Sequence, residues 1–318
     1  MRILVTGAAG FIGSHLSEKL LSDEDNEVIG MDAFVNTTPK WIRERNLRAL
    51  LHHPRFEFKE QHLLEVNWDE ILPKVDAVYH LAGIPGVRSS WGPDFSSYVT
   101  NNIVVTQQML EGCRKHSVHK FIYASTSSVY GERTGQVSES AVPAPLSPYG
   151  VSKLTGEHLC RVYYENDGIP IIILRFFTVY GPRQRPDMAF HRFIHHILHH
   201  KPIPIYGDGK QTRDFTYIDD CVKAAANVLY AENVIGETMN IGGKERASII
   251  DIMHILEELF ERKIAFEFAG PARGEPKHTW ADISKAQKLL HYEPIVNLRS
   301  GIAKEMNDLR QLYNDSFN

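Results

Sequence analysis

A doubly wound α/β fold, with one mostly parallel sheet and helices on both faces, is what three features of this chain predict. Short apolar runs recur through the first half, separated by helix-length amphipathic segments; this is the rhythm of buried parallel strands joined by crossover helices. A glycine turn, Gly7, Gly10 and Gly13, follows directly on the first run. An acidic residue, Asp32, ends the second. At 318 residues the chain is too long for one small core and suits two packed lobes.

The expected strands are 3–5, 28–31, 56–59, 77–81, 121–124 and 171–174. Residues 11–22 and 148–166 carry helical spacing, and residues 298–313 carry an apolar stripe expected to pack in the core. After Arg175 the rhythm changes: Pro182, Pro186, Pro202, Pro204, Pro271, Pro276 and Pro294 punctuate shorter elements. The lobe boundary is placed there. Residues 1–174 form the first domain and residues 175–318 a smaller α/β domain, with 219–230 expected to fold back onto the first.

Several partners are disfavoured by composition. A net charge of −4 without any block of Lys or Arg argues against nucleic acid. Cys113, Cys160 and Cys221 are widely spaced and lack a CxxC pair, so neither disulfides nor zinc is expected. No apolar run approaches the ~18 residues of a membrane span, and no charged-then-apolar leader precedes the first strand; the expected compartment is the cytoplasm. His191, His195, His196, His199 and His200 cluster at helical spacing but lack HExxH or a completing carboxylate. They read as a partly solvated helix face, and no metal is expected.

The glycine turn sits between a strand and a helix, where free helix N–H groups meet a pyrophosphate and glycine lets the backbone approach it. Asp32 then offers a carboxylate to both adenosine ribose hydroxyls and repels a 2′-phosphate, so NAD is favoured over NADP. Tyr149 and Lys153 lie four residues apart and share one helical face. A free phenol, with a pKa of about 10, is a poor base at neutral pH. A neighbouring ammonium and a positive nicotinamide both favour the phenolate. Thr126 lies in the hydroxyl run after the fifth expected strand, beyond its carboxyl end, where ligands bind in such sheets; it can donate to a substrate oxygen or relay its proton.

With these pieces in order, the chain resembles the extended short-chain dehydrogenase/reductase family, in its nucleotide-sugar epimerase and dehydratase branch. The resemblance spans nearly the whole chain: the glycine turn, Asp32, H-L-A-G at 80–83, S-T-S-S-V-Y-G at 125–131, Tyr149/Lys153, residues 174–182, R-D-F-T-Y-I-D-D at 213–220 and R-G-E at 273–275. It implies a Rossmann domain followed by a smaller domain that binds a UDP-sugar. Phe11 and Ile12 would meet the NAD pyrophosphate, and Asn36 would lie near the adenosine. His62 and Leu63 stand at the adenine position, with His62 replacing the usual Asp. Leu81, Ala82 and Gly83 would line the cofactor, and Asn101, Tyr149 and Lys153 would hold its nicotinamide half. On the sugar-nucleotide side Thr178 (where many relatives carry Asn), Arg213 and Arg273 would contact the diphosphate, and Ile205 and Tyr206 would flank the uracil. A homodimer is implied through helices at 102–115 and 149–166.

This family oxidises the sugar at C4 and then diverges. Its 4,6-dehydratases carry Asp-Glu after the Thr, and its decarboxylases carry Glu at the second of those positions; here both are serine, Ser127 and Ser128. Without a carboxylate, elimination lacks its usual proton agent, and 4-epimerisation is the expected reaction. The loop 181–189 and the segment Gly86-Val87-Arg88 resemble those of UDP-glucuronate 4-epimerases, so UDP-glucuronate is the expected substrate. UDP-glucose/UDP-galactose is the alternative, ahead of a dehydratase, a decarboxylase or a non-catalytic dinucleotide sensor. Arg185, with Thr126, Ser127, Ser128 and Thr178, is expected to hold the uronate carboxylate; Pro85 and Arg88 are expected at the same site.

Overall fold

The computed structural model describes residues 1–35, 38–270 and 273–314. Its centre is a seven-stranded parallel sheet built from β1 (Arg2–Thr6), β2 (Glu27–Asp32), β3 (Phe56–Glu60), β4 (Ala77–His80), β5 (Lys120–Thr126), β6 (Ile171–Phe176) and β10 (Thr238–Ile241). Its order is β10-β6-β5-β4-β1-β2-β3. Every residue of β4, β6 and β10 is buried. Such strands must be covered on both faces, which is why β4 and β6 read as largely apolar runs rather than alternating ones.

All six expected strands are present, and the fold is the doubly wound parallel sheet. The addition is β10, contributed from beyond residue 175, which pairs in parallel with β6. Its four residues include Thr238 and Asn240 and carry too little apolar signal to read as a buried strand. Asn240 is tolerated there because its amide donates to the Val137 and Asp282 carbonyls and its oxygen accepts from Tyr130.

The helices needed to place the site are α1 (Phe11–Leu21), α2 (Lys40–Leu47), α3 (Val105–Lys115), α4 (Pro148–Asp167), α5 (Ala189–Leu198), α6 (Ile218–Asn227) and α7 (Leu298–Asn314). α4 starts and stops where its sequence dictates. The Ser147 hydroxyl accepts from the Gly150 N–H, Pro148 supplies the first turn, and Gly168 closes the helix in the left-handed region at φ 68°. α6 packs against α1, tying the later chain to the first βα unit. Leu298, Ile302, Met306, Leu309 and Leu312 of α7 are all buried, as their spacing predicts.

Two smaller sheets complete the later half, one of β11 (Glu245–Ser248), β9 (Thr212–Tyr217) and β7 (Thr178–Tyr180), the other of β12 (Phe266–Ala269) and β8 (Ile203–Tyr206). The histidine face on α5 departs from expectation at one position. His191 is buried, with Nδ1 2.6 Å from the Gln184 carbonyl and Nε2 2.7 Å from the Tyr313 hydroxyl. Tyr313 also packs on His195, 4.7 Å between centroids. These imidazoles are a seam between α5 and α7, and no metal-ligating group of three exists among the described residues.

Candidate active site

One cleft runs across the carboxyl ends of β1, β2, β4, β5 and β6, where ligands sit in such sheets. It is lined by Gly7, Gly10, Phe11, Ile12, Gly13, Asp32, His62, Leu63, Leu81, Ala82, Gly83 and Asn101 along one arm. Thr126, Ser127, Ser128, Tyr149, Lys153, Thr178, Arg185 and Pro85 line the other. Asn36 lies outside the described residues.

The first arm fits a dinucleotide. The N-cap of α1 is Gly10, which offers no side-chain cap, so the first-turn N–H groups face the cleft free of side-chain competition. A Cβ on Gly13 would come within 2.1 Å of the Gly7 carbonyl oxygen, so this close packing of turn on helix admits only glycine. Asp32 Oδ2 accepts from the Ala9 N–H at 3.2 Å, and Oδ1 accepts from the Phe34 N–H at 2.9 Å. Arg43 of α2 also binds Oδ1 at 2.9 Å, the side chains being only 4% and 9% exposed. This fixes the carboxylate facing the ribose position. Arg43 was not anticipated, although it falls in register with the buried Asn46 and Leu47 of its helix, the signal that could have found it.

The floor of this arm is set by a buried polar chain. The Thr6 hydroxyl binds His80 Nδ1 at 2.9 Å and accepts from the Ala82 N–H at 3.1 Å. His62 Nε2 meets Asn101 Oδ1 at 3.1 Å, so two residues expected singly at the cofactor support each other. Asn102 clamps the backbone of Ile84 from both sides and reaches Ser152 of α4 at 3.0 Å. That clamp holds the Ala82–Pro85 segment against the helix bearing Tyr149 and Lys153.

In the second arm, Tyr149 packs edge-on against Tyr98, 6.2 Å between centroids, and Tyr98 hydroxyl contacts hold the Pro85 and Gly86 carbonyls. Burial pushes the Tyr149 phenol above its ordinary value; a hydrogen bond with Thr126 and the charge of Arg185 pull it back. The sequence assigns that task to Lys153 and the nicotinamide; in the structure the groups that lower the phenol are Thr126 and Arg185. The Lys153 ammonium is lowered to about 8 by burial, with Cys160 and Glu157 acting the other way. Arg185 grips Asp187 as a fork, Nε to Oδ1 at 3.0 Å and Nη2 to Oδ2 at 2.9 Å. No carboxylate belongs to Ser127 or Ser128, and none lines this arm.

Arg88, Ile205, Tyr206, Arg213 and Arg273 fall outside the lining of the cleft. Arg88 and Arg213 share the Glu275 carboxylate, and Arg88 and Arg273 each lie over an aromatic ring. Glu275 accepts from Arg88 Nε at 2.7 Å and from Arg213 Nη2 at 3.1 Å. The Arg88 guanidinium lies 4.0 Å over the Tyr206 ring, and Arg273 lies 3.7 Å over Trp91. Ile205 differs: its side chain is 1% exposed in the core, which leaves only its backbone for a ligand. Glu275 and Trp91 were not singled out in the sequence, because a counter-ion and a stacking partner are defined by contact rather than spacing.

With this geometry in place, the comparisons with known proteins are specific. Residues 3–242 match the NAD dependent epimerase/dehydratase family. A Bacillus subtilis protein described as an uncharacterized UDP-glucose epimerase is 56% identical over 313 residues, covering 98% of this chain and 99% of its own. A UDP-glucuronate 4-epimerase of Thermodesulfobacterium geofontis is 38% identical, covering 96% and 94%. The crystal structure of a Bacillus cereus UDP-glucuronic acid 4-epimerase in complex with UDP-glucuronic acid and NAD superposes with a TM-score of 0.98 at 56% identity, covering 98% of this chain and all of that one. The chain belongs to the NAD dependent epimerase/dehydratase family.

Proposed function

We propose that this protein is an NAD-dependent UDP-sugar 4-epimerase that interconverts UDP-glucuronate and UDP-galacturonate through a 4-keto intermediate. The observation that carries the reading is the composition of the second arm: a guanidinium, Arg185, beside the Tyr149 base, three hydroxyls from Thr126, Ser127 and Ser128, and, among the described lining residues, no carboxylate, the Asp187 held by Arg185 lying outside the lining. A uronate brings its own carboxylate to such a site, and a charge-assisted fork on arginine is its natural partner.

Bound NAD supplies the redox chemistry, taking the C4 hydrogen with its electron pair and giving it back to the opposite face. Gly7, Gly10 and Gly13 with the α1 N-terminus bind its pyrophosphate, Asp32 its adenosine ribose and Lys153 its nicotinamide ribose. Tyr149 removes the C4 hydroxyl proton and later restores it, with Thr126 as its hydrogen-bond partner. Between those events the keto sugar turns over within the arm. Arg185, Thr178 and the serine hydroxyls grip the C5 carboxylate and keep the C–CO2 bond away from the perpendicular to the C4 carbonyl plane, the geometry that releases CO2. The arginines around Glu275 take the diphosphate and Tyr206 flanks the uracil. In this division of labour residues 1–174 carry the cofactor and residues 175–318 the UDP-sugar, although β10 and α6 of the later half complete the first unit. Val104, Val151 and Val162, exposed at the start of α3 and along α4, suit the homodimer contact. The three free, buried cysteines suit a reducing cytoplasm, and no helix among the described residues is long and apolar enough to cross a membrane.

Incubation with UDP-glucuronate or UDP-glucose, followed by separation of the nucleotide sugars, tests this. The expected outcome is UDP-galacturonate as the product of the acid, with UDP-glucose turned over far more slowly. Release of CO2, a deoxy-keto product, or faster turnover of UDP-glucose sinks it.

A further inference from the structure

Lys153 is the buried cation of this machinery, and among the described residues no hydrogen bond ties its ammonium to another side chain. An aromatic face lies beneath it instead: Nζ stands 4.1 Å from the ring centroid of Tyr123, a fully buried residue of β5. The other groups facing this ammonium are accounted for. On α4, Glu157 is committed to Arg175, with Nη2 to Oε2 at 2.6 Å and Nε to Oε1 at 2.9 Å, and it also accepts from Ser125. Cys160 on the same helix is held as the neutral thiol by burial. On β4, His80 has both ring nitrogens occupied by Thr6 and Thr106, and burial pushes it down to about 3. Tyr149, one turn back on α4, is raised and therefore mostly neutral before substrate arrives.

A second observation explains how the ring comes to lie there. Gly156 sits inside α4, where glycine weakens a helix relative to alanine, three residues beyond Lys153 and therefore on the same face. A Cβ at Gly156 would fall 2.0 Å from the Tyr123 hydroxyl and 2.6 Å from its ring carbon Cζ. The helix is hollowed at the one point that admits the ring beneath the ammonium.

We propose that Tyr123 is a positioning residue for the epimerisation: its ring, admitted by Gly156, keeps the Lys153 ammonium charged and in place through a cation–π contact. The proposal rests on the epimerase reading for Lys153's task. With burial, opposed by Cys160 and Glu157, leaving this lysine at about 8, the ring stands between a working ammonium and a neutral amine near physiological pH. A desolvated contact of this kind is strong enough to move a titration by about one pH unit.

The test compares the pH profile of kcat for wild type, Tyr123→Phe, Tyr123→Leu and a series with mono-, di- and pentafluorinated phenylalanine at position 123. The fluorinated rings keep the shape and drain the face, so they separate electrostatics from packing. The alkaline limb, where Lys153 loses its proton, is expected to hold in Tyr123→Phe. It moves down by about one unit in Tyr123→Leu, and stepwise with fluorination at an unchanged melting temperature. NAD affinity, followed by quenching of protein fluorescence across the same pH range, is expected to shift in parallel. An alkaline limb indifferent to fluorination overturns the proposal. If wild type turns over no UDP-sugar, the epimerase reading fails instead, and the NAD titration still decides whether the ring governs Lys153.

Discussion

Tyr149→Phe is expected to lower kcat for UDP-glucuronate epimerisation by roughly 10²–10⁴-fold, the usual worth of a positioned acid–base group, while leaving substrate affinity within a few-fold. The substitution removes one oxygen and keeps the ring. Its edge-on packing against Tyr98 survives, so fold and cleft shape are retained. What disappears is the only hydroxyl on α4 that the Thr126 hydrogen bond and the Arg185 charge act upon. Burial works against ionisation here, pushing the phenol up. Recovery of a phenolate is therefore expected to draw on those two groups and on the positive ring of bound NAD. The acid limb of the wild-type pH profile reports that recovery. Measuring kcat and KM separately distinguishes this role from a binding role: a change confined to KM would move Tyr149 out of the chemistry.

Arg185→His is expected to weaken binding of UDP-glucuronate by roughly 10–100-fold, the loss of a charge-assisted fork, and to change UDP-glucose binding by much less. Histidine is neutral over most of the working range and cannot present two parallel donors. Arg185 already shows its fork geometry on Asp187, so the substrate carboxylate is asked to make a contact this side chain makes within its own loop. A second consequence is separable. Because Arg185 also pulls the Tyr149 phenol down, its loss shifts the acid limb of kcat to higher pH for either sugar. Equal weakening of both ligands in a direct binding titration would remove Arg185 from carboxylate recognition.

The sheet was legible because its central strands are buried on both faces, which forces apolar runs such as Ile171–Leu174 into the sequence. β10 was not, since Thr238 and Asn240 carry its pairing through polar contacts supplied by distant residues. The base pair Tyr149/Lys153 and the glycine turn were legible because one helical turn and one tight bend impose fixed spacings. Arg43, Tyr98, Tyr123 and Glu275 act through neighbours far away in sequence. Arg43 sits 11 residues from the Asp32 it holds, and Glu275 lies 187 residues from Arg88. No local spacing encodes the Glu275 contact, while Arg43 is marked only by its register with the buried Asn46 and Leu47. The sequence singles out Arg88 and Arg213, but that they share one carboxylate, Glu275, emerges only from the packing of β9 against the 273–275 segment.

At the centre of this account, one hydrogen leaves C4 and returns to the same carbon within a single cleft. UDP-glucuronate deuterated at C4 tests that most directly, with the product examined by mass spectrometry and proton NMR. The expected result is UDP-galacturonate that retains its C4 deuterium, with no solvent hydrogen at C4 and no CO2 released. Product carrying solvent hydrogen at C4, or a pentose formed with loss of CO2, would contradict it.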